Sequence, residues 1–169
     1  MRNRFCIVMM FAAVTSLAAH SQKANLSGTW KLSVAKSFMG SDHPFPEYQL
    51  TRKIEQKGDT VSITDNSVHN SVVNIPLPDS TTRIEVVADG KEHELELPAP
   101  FPGRPPAKAQ VTASWQGATL ELRQITSGLA NYAKHRLFLS DDGSQLIDLV
   151  EQHSIFGDSE QRLVFDKAP

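Results

Sequence analysis

Leu26-Ser27-Gly28-Thr29-Trp30-Lys31-Leu32, running on into Ser33-Val34, is the stretch that decides the fold. Trp30, Leu32 and Val34 alternate with Lys31 and Ser33. A period of two sends alternate side chains to opposite faces, so this is a strand with one face buried. The same grammar recurs downstream. The segment 36–47 carries Gly40, Pro44 and Pro46 and reads as a loop. From Tyr48 to Gln56, Tyr48, Leu50 and Ile54 fall in phase. The turn Lys57-Gly58-Asp59 then leads to Val61 and Ile63, which makes a hairpin. A more polar strand is expected over Val68 to Ile75, ended by Pro76 and Pro78.

Three later hairpins carry their own arithmetic. In Thr81 to Leu97, Asp89-Gly90 is a type I′ turn signal that pairs Val86 with His93 and Ile84 with Leu95. In Ala107 to Thr126, a turn at Gln116-Gly117 pairs Ala113 with Leu120, Val111 with Leu122 and Trp115 with Ala118. Across Asp141-Asp142-Gly143, a three-residue loop sets Leu137 opposite Ile147, His135 opposite Leu149 and Arg136 opposite Asp148. A last strand follows over Gln161 to Phe165. The pattern gives nine or ten short strands and no helix. The expected fold is all-β: an antiparallel meander closed into a small up-and-down β-barrel of eight to ten strands, with a two-sheet sandwich as the alternative.

The first residues read as an export signal. Arg2 and Arg4 precede an apolar run from Phe5 to Val14, and Ala19-His20-Ser21 offers a cleavage site. The expected organisation is therefore a signal peptide over 1–21 and one barrel domain over 22–169, exported to the periplasm or the extracellular space. The run is too short to span a bilayer, and no later segment is apolar enough to do so. The single cysteine, Cys6, falls inside the signal, so residues 22–169 have no disulfide and no thiolate chemistry. Charges are dispersed, with no basic stripe to meet nucleic acid. There is no G-x-S-x-G elbow, no phosphate-binding glycine loop and no metal-binding spacing of histidines. Neither catalysis, a cofactor nor a metal is expected.

The segment Leu26 to Leu32 looks like the first strand of lipocalins and their calycin relatives, in which a G-x-W motif opens the barrel. The segments Ala113 to Leu120 and Leu139 to Leu146 also resemble small exported bacterial proteins of unknown function, often described as lipocalin-like. The resemblance implies that Gly28 and Trp30 close one end of the barrel, that Arg162 packs over the tryptophan, and that the interior holds a ligand. The inward face would carry Ile84, Val86, Leu95, Val111, Leu120 and Leu122. It would also carry Leu137, Ile147 and Leu149, with Ala88, Ala109, Ala113, Ala118 and Ala133 among them. The small residues either leave a cavity or interdigitate with the large ones.

Five polar residues share that expected face: His93, Gln124, His135, Glu151 and His153. Buried polar groups need partners, so the set either orients a ligand's polar end or is satisfied by solvent and structure. The expected function is binding of a small apolar or amphipathic molecule inside the barrel, without catalysis. The alternative is an envelope-associated or extracellular interaction module with a packed barrel. It would recognise a partner through the five-proline loop Pro98 to Pro106, with Phe101 and Arg104 as its contacts.

Overall fold

The computed structural model describes residues 22–40, 48–69, 79–97, 106–126, 131–154 and 157–169, with the side chains of Tyr48, His69 and Asn131 outside that set. The expected signal 1–21, most of the expected strand from Val68 to Ile75, and the loop residues Phe101 and Arg104 lie outside the described residues.

The strands are β1 (Gly28–Leu32), β2 (Tyr48–Lys57), β3 (Thr60–His69), β4 (Ser80–Val87) and β5 (Glu92–Leu97). They continue as β6 (Ala107–Gln116), β7 (Thr119–Thr126), β8 (Asn131–Leu139), β9 (Gln145–Ser154) and β10 (Gly157–Lys167). Val68 belongs to β3. A single 3-10 turn, Val34–Lys36, follows β1. All ten strands form one antiparallel sheet in the order β4-β3-β2-β1-β10-β9-β8-β7-β6-β5. That order is a meander whose first and last strands pair, Trp30 opposite Lys167 and Leu32 opposite Phe165. The barrel is therefore nearly closed, and it is one continuous sheet rather than a sandwich. No helix of the described residues is long and apolar enough to cross a membrane.

The core is the inner face. Trp30, Leu32, Leu50, Ile54, Val61 and Val86 meet Val111, Leu120, Leu122, Leu137, Leu146 and Phe165 there. Each such side chain contributes roughly 1.5–3 kcal/mol by leaving water. Trp30 plugs one end: its Nε1 donates to the Leu26 carbonyl at 3.1 Å, and both residues are buried. Gly28 makes this possible. Its φ is +154°, and a Cβ there would stand 3.3 Å from Trp30 Nε1. The cation over the indole is Lys167, whose Nζ lies 5.8 Å from the ring. Arg162, expected in that role, points outward and donates to the Lys36 carbonyl at 3.2 Å.

Three hairpin registers differ from expectation, each for a local reason. Asp89-Gly90 does not close a hairpin, because β4 pairs only with β3 and β5 only with β6. The corner Ala88–Lys91 instead steps between them: Ala88 N donates to the Asp59 carbonyl and Gly90 N to the Ala113 carbonyl. The Asp89 carboxylate accepts from Lys91 N at 2.9 Å, an Asx turn that holds the corner. In β6–β7 the tight turn is Gly117-Ala118, with Gln116 opposite Thr119, so Ala113 faces Leu122 and Trp115 faces Leu120. Gly117 takes the positive φ of +65° that this turn needs. Ala118 lies in the turn and not on the inner face.

The β8–β9 loop has four residues rather than three. Ser140 N donates to the Gln145 carbonyl at 2.9 Å, leaving Asp141 to Ser144 outside the ladder. The Asp142 carboxylate recruits Ser144 by accepting from its backbone N–H and from its hydroxyl, and it also accepts from Ser140 Oγ. The Ser140 hydroxyl, with the Ser144 backbone and side chain, pulls the Asp142 carboxyl down to about 2. One extra loop residue slides β9 by one and turns it over. Leu137 now faces Asp148, and His135 faces Val150. Leu146, Asp148 and Val150 point inward, whereas Ile147 and Leu149 share the outer face with Phe138, Val164, Arg136 and Arg162.

Candidate functional site

Inside the barrel, three charged residues occupy apolar registers. Arg52 lies between Leu50 and Ile54 on β2, Asp65 follows Val61 and Ile63 on β3, and Asp148 sits between Leu146 and Val150 on β9. Arg52 and Asp65 are direct cross-strand partners. The guanidinium grips Asp65 with two parallel bonds, Nε to Oδ1 and Nη2 to Oδ2, both 2.8 Å. Its third arm, Nη1, donates to Asp148 Oδ2 at 2.7 Å across the barrel. The Arg52 carbon Cζ rests 4.8 Å from the centre of the Phe165 ring. His135 completes the chain: its Nδ1 lies 3.1 Å from Asp148 Oδ2 and 3.2 Å from Oδ1. An ionised carboxylate only accepts, so Nδ1 carries the proton in these contacts.

Asp148 is wholly buried and Arg52 almost so. Burial works against the charge of Asp148, yet the field and hydrogen bond of His135, joined by Arg52, hold its carboxyl below the ordinary 3.8. Burial also opposes the Arg52 cation. The hydrogen bond to Asp65 and the fields of Asp148 and Asp65 overcome it and raise the guanidinium above its usual value. The set stays ionised because each member compensates another.

This chain of charges forms one wall of a cavity of about 160 Å³. The opposite lining is apolar, with Ile63, Ile84, Leu122 and Leu137, while Thr82 and Gln124 add two neutral polar groups. The cavity thus has an oily side and an ionic side, and β4, which supplies Thr82 and Ile84, is an edge strand of the sheet.

Of the expected polar set, the structure brings two residues to this cavity, Gln124 and His135. His93 faces inward opposite Val111 but is half exposed and bonded to Asp89 at 3.0 Å, away from the cavity lining. Glu151 and His153 were expected inside and are outside, a consequence of the turned-over β9. Glu151 pairs with Arg136 at 2.5 Å. His153 pairs with Asp158 at 2.8 Å and packs on Tyr132, with ring centroids 5.5 Å apart. Asp148 takes the interior place that their register would have given them. Among the described residues no group of three or more His, Cys, Asp or Glu is arranged to hold a metal ion.

No protein-family model matches the chain, and no curated protein sequence matches it. Solved structures do match its fold. Lipid binding protein 8 of Caenorhabditis elegans, in its apo form, superposes with a TM-score of 0.57 at 13% identity, covering 86% of this chain and 99% of its own. Fatty-acid-binding protein 1 of Echinococcus granulosus gives 0.56 at 12%, over 85% of this chain and 98% of that one. The zebrafish ileal bile acid-binding protein, complexed with cholic acid, gives 0.53 at 17%, over 84% and 98%. The chain therefore has the nearly closed ten-stranded barrel of the fatty-acid-binding and calycin type.

Proposed function

We propose that this protein is an exported, non-catalytic barrel that takes up one small amphipathic molecule in its interior. The observation that carries the reading is the cavity of about 160 Å³ with an apolar lining on one side and the Arg52–Asp65–Asp148–His135 chain on the other. A packed barrel has no use for such a wall. Buried ion pairs are costly to keep and are readily replaced by hydrophobic residues. The likeness in fold to barrels named for lipids, fatty acids and bile acids supports an interior site. The volume narrows the cargo. An engineered apolar cavity of roughly 150 Å³ admits benzene, and drug-sized pockets begin near 300 Å³. A ring-sized apolar body with one polar end fits.

Calorimetric titration with phenylbutanol tests this, using wild type and Ile84→Trp. Ile84 lines the cavity from an edge strand and is only partly buried, so a larger side chain there fills the space without dismantling the core. The expectation is single-site uptake by wild type and none by a folded Ile84→Trp. Equal uptake by both proteins, or no heat from wild type, would sink the reading.

A further inference from the structure

We propose that the barrel selects its cargo by a donor head group, a protonated amine, and turns carboxylates away. This deepens the interior-binding reading and rests on it. The argument is a charge account of the cavity wall. Its one permanent cation, Arg52, is spent: Nε and Nη2 are taken by Asp65 and Nη1 by Asp148, all at 2.7–2.8 Å. Two carboxylates face one guanidinium. With His135 protonated the four groups sum to zero, and without that proton they sum to −1. In neither state is there a surplus positive charge for an incoming carboxylate to meet.

The unspent capacity points the same way. Asp65 is the more open carboxylate, its side chain 23% exposed where Asp148 shows none. Each of its oxygens accepts one bond from Arg52 and keeps a further lone pair. With Nδ1–H turned to Asp148, a neutral His135 has only an acceptor left, at Nε2. Gln124 directs its Nε2 to Thr126 Oγ1 at 3.3 Å, which leaves its carbonyl oxygen as the end free to receive a donor. An ammonium group brings three N–H donors and one positive charge to this wall. A carboxylate brings acceptors to acceptors, in a setting where charges are poorly screened.

Three probes that differ only in the head group test this: phenylbutylamine, phenylbutanol and phenylbutyrate, titrated calorimetrically into the protein near pH 7. The expected order is amine, then alcohol, then carboxylate, with the amine at least about tenfold tighter than the carboxylate. In Asp65→Asn that gap narrows by about tenfold, since the variant keeps the shape and removes the charge nearest the opening. Alcohol uptake with the carboxylate bound as tightly as the amine overturns the head-group assignment and leaves interior binding standing. An unchanged gap in Asp65→Asn overturns the role of this cluster. If none of the three binds, the interior-binding reading fails and this proposal falls with it.

Discussion

Arg52→Met isolates what the interior charges cost and contribute. The Arg52 side chain is 7% exposed, and the Asp148 it bonds is not exposed at all, so water cannot take over the lost contacts. Methionine approximates the aliphatic stem and its packing on Phe165, which confines the change to the guanidinium. Three charge-assisted hydrogen bonds disappear and two carboxylates lose their cation, one of them keeping only His135. Breaking a buried pair in this way costs about 3–5 kcal/mol, because a charge is left uncompensated. In a domain of about 150 residues that lowers Tm by roughly 6–20 °C.

Urea denaturation followed by the fluorescence of Trp30 and Trp115 reads the change directly. The informative control is the triple variant Arg52→Met, Asp65→Leu, Asp148→Leu, which removes the charges together. It should return to within about 1 kcal/mol of wild type or exceed it, since hydrophobic replacement of a whole buried network is neutral or stabilising. A single variant that loses less than about 1 kcal/mol at an unchanged m-value would mean that the wall is solvated. A triple variant as weak as the single one would mean that packing, and not orphaned charge, sets the cost.

Acid provides a second probe. The Asp148 carboxyl is held below its unfolded value of 3.8, so its contribution is fully present above that pH and is lost as the pH falls below it. The slope of stability against pH in that range should flatten in Asp148→Asn, and an unchanged slope contradicts the assignment. Gly28→Ala places a Cβ 3.3 Å from Trp30 Nε1 at a φ of +154°, and should cost about 1 kcal/mol with a shift in tryptophan emission. Wild-type emission and midpoint would remove the glycine's role. Backbone amides of β4 and β5, the two ends of the sheet order, should exchange with solvent faster than those of β2 and β10. Equal protection would mean that these edges are covered.

How far the sequence could be read follows from the arithmetic of strands. In β6–β7 the turn lies one residue further along than Gln116-Gly117 suggests, which moves each pairing by two. Val111, Ala113, Leu120 and Leu122 stay inside, because a shift of two keeps every side chain on its face. In β8–β9 the shift is one. Ile147, Leu149, Glu151 and His153 go out, and Asp148 comes in. Nothing local in Asp141-Asp142-Gly143 distinguishes a three-residue from a four-residue loop; the decision lies in the Asp142 carboxylate reaching Ser144. The β4–β5 hairpin failed differently. Asp-Gly is a turn signal at a corner as well as in a hairpin, and only the closure of the whole barrel decides which.

The cluster itself left a trace that hydrophobic phase alone could have followed. Arg52 sits in step with Leu50 and Ile54, Asp65 with Val61 and Ile63, and Asp148 with Leu146 and Val150. A charge in step with a buried row is unusual, and two acids with one arginine in such places can compensate one another. The partners could not be named from the chain alone, since 96 residues separate Arg52 from Asp148.

The pairing of β1 with β10 governs how the molecule is assembled. Trp30 meets Lys167, and Ala168 N donates to the Thr29 carbonyl at 2.8 Å, so the ring is fastened where the two ends of the domain meet. The unladdered seam lies instead at the middle of the chain, between β4 and β5. Everything from β2 to β9 can zip up by neighbour-to-neighbour hairpins, but the tryptophan plug has its wall only when the last strand arrives. Bringing together segments so distant in sequence is the slow step of such a topology. A chain stopped short of β10 is therefore a curled ribbon with a loose plug, and the interior becomes a compartment only once the final strand is in place.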